Sequence, residues 1–453
     1  MTKAKNSKAA KNQKAPAAAR AEAPSRPGGK PSTPAERLKE TVIGARVSRR
    51  AADRLRAGHV WVYASDVELV ELGDATEIPA LLPVADYRGV LLGTALYSPS
   101  SQIALRLVSR EAIGETEWLE LLGRRLSNAI DRRVPQLNPK EIDSDSFRLC
   151  FSEADEIPGL VVDKYGKLVI VQLLTKGLDS AAVRKKIVAT IRDRIKPASI
   201  LERPDPRIRE LEGLSAPALG PLYAADPKNP MTATQFQLNG LTFHYDANAG
   251  QKTGAFLDQH ANYKAAEHYA WMLSPGGRAL DVCTYQGGFA LHLARVSNRV
   301  TGIDTSHASL EVAERNLVAN REKFRSNVEV DWVAGDAFEV LRDWAAAREQ
   351  FDTIVLDPPA FAKSKRAVEG AMRGYKELNL RAMQMLKPHG LLVTCSCSHH
   401  VSLSDFEASV VSAAADAHRR VRLRQRRGAA PDHPVVLNIP ETEYLKCLVL
   451  EVE

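Results

Sequence analysis

Cysteine is scarce in this 453-residue sequence: Cys150, Cys283, Cys395, Cys397 and Cys447 form an odd set with no framework spacing. That excludes a disulfide scaffold and points to reduced thiols in a cytoplasmic setting. Long apolar runs are missing too, which excludes a bilayer-spanning helix. The early stretch APAAAR is too short and weakly apolar for the core of a secretory signal. Hydrophobic residues still make up 44% of the chain, enough for cores in two or three domains. Residues 1–40 hold ten Lys/Arg against three Glu, an excess equal to the +7 of the whole chain, so the remainder is balanced.

The Lys-, Ala- and Pro-rich segment 1–40 has too few large apolar side chains to offset its ordering entropy, and is expected to be a disordered, solvated tail with at most non-specific phosphate binding. Residues 41–112 read as a small β-rich module. GARVSRRAADRLRAGHVWVYASDVELV gives strand, short basic helix ending at Gly58, and strand, and LLGTALYSPSSQIALRLVS adds more short strands. Arg49, Arg50, Arg54 and Arg56, followed by His59 and Trp61, suit phosphate contacts or simply an exposed basic face. Strand and helix alternate from 113 to 245, a small α+β segment. Trp118, Leu122, Leu126 and Ile130 mark one helix, GLVVDKYGKLVIVQLL a hairpin turning around Lys164–Gly166, and 181–195 a charged helix. Spacing assigns this segment no chemistry.

From 246 to 453 the alternation becomes regular, which predicts a doubly wound parallel α/β sheet. Ligands of such sheets sit beyond the carboxyl ends of the strands. Those ends carry Asp281 and Cys283, Asp304, Asp336, Asp357, then Cys395 and Cys397. The first loop, DVCTYQGGF, lacks the G-x-G-x-x-G of a dinucleotide site, and its acid repels phosphate. Asp304 is placed to accept ribose hydroxyls and Asp336 to bond an adenine amino group, with Cys283, Tyr285, Gly287 and Gly288 in the surrounding loop. An adenosine that carries a cation and no phosphate is S-adenosylmethionine.

The fourth strand ends LDPPAF, a stiff loop with Asp357 at its rim and Phe361 one residue later than the Asp/Asn-Pro-Pro-aromatic loop of amino-group methyltransferases. Amino-group methylation needs no cysteine. Carbon 5 of a pyrimidine does, because a thiolate adding to carbon 6 turns the ring into an enamine that accepts a methyl at carbon 5. Asp357 would bond the base edge and Phe361 would wall a base taken out of its stack. Cys395 and Cys397 in LLVTCSCSHHV are also compatible with buried structural thiols, or with a zinc site using His399 or His400. Side chains two apart on a strand face the same way, so periodicity does not choose between the two cysteines.

These residues, with GQKTGAFLDQH, FSEADEIPGLVVDKYG, DTSHASLEVAERN, RGYKELN, PDHPV and YLKC in order, resemble the bacterial large-subunit ribosomal RNA 5-methylcytosine methyltransferases. That family joins an N-terminal PUA domain to a Rossmann-like class I methyltransferase domain, and the resemblance covers nearly everything after the tail. It implies a PUA domain at 41–112 and a methyltransferase domain at 246–453. Cys397 matches the nucleophile and Asp357 the catalytic acid. Asp281, Gly287, Gly288, Asp304 and Asp336 match cofactor contacts, joined by Lys252 and Gln259. Ala360 stands where some members have Lys, which leaves Lys363 or Lys365 to supply a cation. Arg373 and His433 are expected on the substrate side, as are Arg54 and Trp61 in the PUA domain. The implied activity is S-adenosylmethionine-dependent formation of 5-methylcytidine in large-subunit ribosomal RNA or a ribosomal subunit precursor, without metal or membrane. Guanine or amino-group methylation of RNA, and non-catalytic RNA binding in ribosome assembly, are the alternatives.

Overall fold

The computed structural model describes residues 44–73, 80–133, 143–217, 219–248, 254–362 and 364–453. The expectations for the tail, Lys252 and Lys363 lie outside them. Among the described residues no helix is long and apolar enough to cross a membrane.

The N-terminal module is a six-stranded sheet with one helix. Its elements are β1 (Gly44–Val47), α1 (Arg49–Arg56), β2 (Trp61–Tyr63), β3 (Val67–Glu71), β4 (Leu81–Ala85), β5 (Leu91–Tyr97) and β6 (Ile103–Ser109), in the order β2-β6-β5-β4-β1-β3. Ser48 caps α1 by accepting from Ala51 N, and the helix buries Ala51, Ala52 and Leu55 in the module's own core.

The middle segment contains α2 (Glu115–Arg133), β7 (Phe147–Phe151), β8 (Leu160–Tyr165), β9 (Leu168–Leu173), α3 (Ala181–Ile195), β10 (Ser199–Glu202), α4 (Pro206–Leu211) and β11 (Tyr223–Ala224). Its strands form one sheet, β11-β10-β9-β8-β7. Trp118, Leu122, Leu126 and Ile130 are buried against it, as their spacing predicts. A hairpin follows, β12 (Ala233–Leu238) and β13 (Leu241–Asp246). Phe236, Leu238 and Phe243 of the hairpin share a hydrophobic core with the C-terminal sheet.

The C-terminal part contains α5 (His260–Leu273), β14 (Arg278–Val282), α6 (Gly288–Leu293), β15 (Arg299–Asp304), α7 (His307–Ala319), β16 (Glu329–Ala334), α8 (Ala337–Ala346), β17 (Phe351–Leu356), α9 (Val368–Met385), β18 (Leu386–Ser396), α10 (Leu403–Asp416), β19 (Val421–Arg427) and β20 (Lys446–Val452). The strand order is β16-β15-β14-β17-β18-β20-β19, with β20 alone reversed. The sheet is doubly wound as expected, and its order reverses between β14 and β17, where such sheets hold ligands. Two strands follow α10. VRLRQRR is masked as a strand by its charge, and it forms the sheet's edge, where Arg422, Arg424 and Arg426 discourage pairing with another chain.

PDHPV fastens the middle segment to this sheet. Arg133 donates from Nε and Nη2 to the Asp432 backbone oxygen (3.0 and 2.9 Å), and Arg148 N donates to Asp432 Oδ2 at 2.8 Å. The N-terminal module is fastened through Trp61 Nε1, which donates to Glu153 at 2.9 Å, and through the His59–Glu441 pair at 3.1 Å.

Candidate active site

A cavity of about 690 Å³ opens at the carboxyl ends of β14, β15, β17 and β18. The first loop is bent sharply to reach it. Cys283 and Tyr285 adopt left-handed φ values of 63° and 52°, and Gly287 one of 84°. For non-glycine residues such backbone is costly and persists where the surroundings impose it. Here Thr284 N donates to Ile303 O at 2.9 Å, and Tyr285 N to Asp304 Oδ2 at 2.9 Å. A Cβ on Gly288 would lie 2.5 Å from Tyr263 Oη, so this position must stay bare for α5 and α6 to close on each other.

The acids separate into distinct places. Asp304 lines the cavity and holds Ser306 N on Oδ1 and Tyr285 N on Oδ2, each oxygen keeping a further lone pair. Asp336 lines it as well, and it also caps α8 by accepting from Phe338 N and Glu339 N. Asp281 lies beneath the floor, fully buried, with Oδ2 accepting from Thr284 Oγ1 (2.6 Å) and Ala290 N (2.8 Å). Burial pushes its carboxyl up to about 7. Its Oδ1 is buried without a hydrogen-bond partner. A neutral ribose, an adenine and a cationic tail suit this acid-rich, partly aromatic lining, and an orphaned oxygen below it suits a donor, so the residues fit S-adenosylmethionine.

Asp357 and Cys397 meet across β17 and β18. Cys395 faces Cys447 directly across β20, and both are fully buried. The facing Cys447 thiol, with burial, pushes the Cys395 thiol well up. The regular strand stops at Ser396, so Cys397 leaves the two-residue alternation and its half-buried thiol lines the cavity, 3.9 Å from the Pro358 oxygen. The intervening serines brace both loops. Ser396 and Ser398 share hydrogen bonds of 2.9 Å with the buried Tyr375 hydroxyl, and Ser398 Oγ accepts from Ala362 N at 3.1 Å. Gln259, buried, donates from Nε2 to Asp357 Oδ1 at 2.9 Å.

Cys283, Tyr285, Gly288, Gln259 and Phe361 also line the cavity, and the Phe361 ring packs on Phe338 and Tyr375. Gly287 sits just behind it, starting α6. Other expected residues lie elsewhere. Arg373 is exposed on α9, paired with Glu369, and lines a separate shallow groove. His433 is not at a rim: it is buried between Asp432 and the Phe151 ring, one layer behind the cavity. Arg54 is held within its own module by Asp66 and the Trp61 oxygen, and the Trp61 indole is used in a joint between domains.

Sequence reasoning missed two contributors. The β12–β13 hairpin supplies a wall through Phe236, Leu238 and Phe243. Lys446 enters from the first position of β20 and is buried, with Nζ donating to the oxygens of Ser398 (2.7 Å) and Tyr444 (2.8 Å). Burial pulls its ammonium down to about 8, against the pull of Cys397 and Glu443. A cation opening the mostly apolar run KCLVLEV was the available signal, since buried cations require partners.

Residues 45–110 match the model of a PUA-like domain and residues 273–428 that of a methyltransferase domain. A methyltransferase solved in complex with SAH superposes with a TM-score of 0.74 over 90% of this chain and all of its own, at 18% identity, a likeness of fold. Ribosomal RNA large subunit methyltransferase I of Pseudoalteromonas translucida is 35% identical over 88% of this chain and 96% of its own. Its namesake in Klebsiella pneumoniae is 34% identical over 86% and 93%. S-adenosylmethionine is the cofactor of such enzymes. A chain that shares a third of its residues with these relatives over nearly their whole length belongs to their family, the ribosomal RNA large subunit methyltransferase I proteins.

Proposed function

We propose that the protein methylates carbon 5 of a cytidine in large-subunit ribosomal RNA, using S-adenosylmethionine and a transient bond from Cys397 to carbon 6. The observation that carries this reading is one cavity lined by the Cys397 thiol, the Asp357 carboxylate and Asp304 together. An enzyme acting on an amino nitrogen has no use for a thiol there. The PUA-like domain and the names of the relatives support RNA of the large subunit as the substrate.

In this mechanism Asp304 and Asp336 would hold the adenosine, and the bent first loop, with Cys283 and Tyr285, would line the rest of the cofactor's site. S-adenosylmethionine supplies the methyl group as an electrophile. The cytosine leaves its stack, enters beside Phe361 and presents its N3 edge to Asp357. The Cys397 thiolate adds to carbon 6 while Asp357, in its protonated form, gives its proton to N3, where the negative charge arrives. After methylation a base removes the hydrogen on carbon 5, the carbon–sulfur bond breaks, and the thiolate is released. Lys446, hydrogen-bonded to the residue after Cys397, is the cation that favours that thiolate.

Bisulfite sequencing of large-subunit ribosomal RNA from cells with and without the protein, combined with nucleoside mass spectrometry, tests the reading. One cytosine protected only when the protein is present, carrying its methyl on carbon 5, is expected. A methyl on guanine or on an exocyclic nitrogen contradicts it.

A further inference from the structure

Asp357 stands at the end of a chain of side chains that begins on the edge strand and passes through two buried amides. Arg427 Nε donates to Asn262 Oδ1 at 2.7 Å, and Arg427 Nη2 to Ala261 O at 3.1 Å. Asn262 Nδ2 donates to Gln259 Oε1 at 2.6 Å and to Gly428 O at 3.1 Å. Gln259 Nε2 donates to Asp357 Oδ1 at 2.9 Å. Asn262 is fully buried and Gln259 is 3% exposed, so water does not substitute where the two amides meet.

The direction of this chain is determined by chemistry. An amide has nearly the same shape when its oxygen and nitrogen are exchanged, but arginine only donates and a backbone oxygen only accepts. Arg427 Nε and Gly428 O bracket Asn262 and permit one orientation. That orientation turns a donor on Gln259 Oε1, which leaves the Gln259 NH2 facing Asp357. Reversing either amide would set donor against donor in a buried place, at about 1–3 kcal/mol for each group left unpaired.

We infer that Arg427 and Asn262 are positioning residues: acting through Gln259, they keep Asp357 Oδ1 a hydrogen-bond acceptor and fix the plane of its carboxyl group. This deepens the proposed function and rests on it. A carboxylate gripped on one oxygen by a neutral donor has a fixed plane and a lower proton affinity than one without that donor. Among the described residues, the titratable groups around Asp357 include Tyr263 from α5 and Asp258 before it, Asp281 and Cys283 from β14 and its loop, Asp304 and Asp336 at the ends of β15 and β16, Cys395, Cys397 and His399 from β18 and beyond, and Tyr444 before β20. Burial holds the Tyr263 and Cys283 protons on, and the facing Cys447 with burial does so for Cys395. Asp281, pushed up to about 7 by burial, is a competing source of change in a pH profile, and Asp281→Asn controls for it.

The test is the pH dependence of kcat/KM for the full chain acting on large-subunit ribosomal RNA. Asn262→Asp keeps the side-chain shape and the Arg427 contact but cannot donate, so Gln259 must turn its oxygen toward Asp357. The pH limb that reports Asp357 is expected to move up by about one pH unit, with S-adenosylmethionine affinity within about twofold of the parent by calorimetry. Arg427→Met breaks the same chain independently should Asn262→Asp fail to fold, and Arg427→Lys, which still donates, is expected to restore the parental limb. A profile for Asn262→Asp or Arg427→Met that superimposes on the parent's apart from a uniform drop overturns the inference. So does a shift in Arg427→Lys as large as in Arg427→Met. If the parent itself forms no 5-methylcytidine, the proposed function fails, and the inference with it.

Discussion

Lys446 Nζ donates to the Ser398 backbone oxygen at 2.7 Å, which sets a buried cation one residue past Cys397. In the proposed mechanism Lys446 is a cation beside the nucleophile that comes from β20.

Replacing Lys446 with Met is expected to slow iodoacetamide alkylation of Cys397 about tenfold at pH 7, with turnover falling in parallel, because nearby cations favour the thiolate. Lys446 is positive below about pH 8 and loses its charge as pH rises through that value. Its contribution is therefore full at pH 7 and fades above pH 8, so parent and variant should converge at pH 9.5. Mass spectrometry of the alkylated peptide measures both.

Gly288→Ala is expected to weaken S-adenosylmethionine binding tenfold or more by calorimetry. The new methyl would meet Tyr263 Oη at 2.5 Å, and overpacking of this kind costs about 1–3 kcal/mol. Gly89→Ala, at a turn with nothing within 4 Å of the added carbon, should leave binding unchanged.

Asp281 makes stability fall with pH. Burial raises its folded pKa from 3.8 to about 7, so the native state binds more protons than the unfolded chain between those values. The contribution is fully present below about pH 4 and lost as pH rises through 7, a loss on the order of a few kcal/mol. Asp281→Asn preserves the acceptor for Thr284 and Ala290. Thermal unfolding without cofactor is expected to show a Tm for this variant that exceeds the parent's at pH 8 and does not at pH 5.

The parallel sheet was readable because its buried strands are apolar runs closed by acids, and β14, β15 and β17 match those runs. β19 was not, because an edge strand carrying Arg422, Arg424 and Arg426 reads as a charged loop. The hairpin wall was hidden because ATQFQL and LTFHYD alternate like any half-buried pair and do not announce which core they join. Periodicity could not separate Cys395 from Cys397. The separation comes from where β18 ends, which depends on the Ser396, Ser398 and Tyr375 hydrogen bonds. The Arg427–Asn262 contact joins residues 165 apart in sequence, a distance at which no local pattern carries information.

The central claim is that the Cys397 sulfur bonds to the base, and covalent trapping tests it most directly. RNA bearing 5-fluorocytidine at the target blocks the final proton removal, so the enzyme–RNA adduct should persist on a denaturing gel in the presence of S-adenosylmethionine. The adduct is expected with the parent and with Cys395→Ala, and is lost in Cys397→Ala, with peptide mapping placing the RNA on residue 397. An adduct-free parent that nevertheless methylates unfluorinated RNA, or a Cys397→Ala variant that retains methylation, would contradict the account.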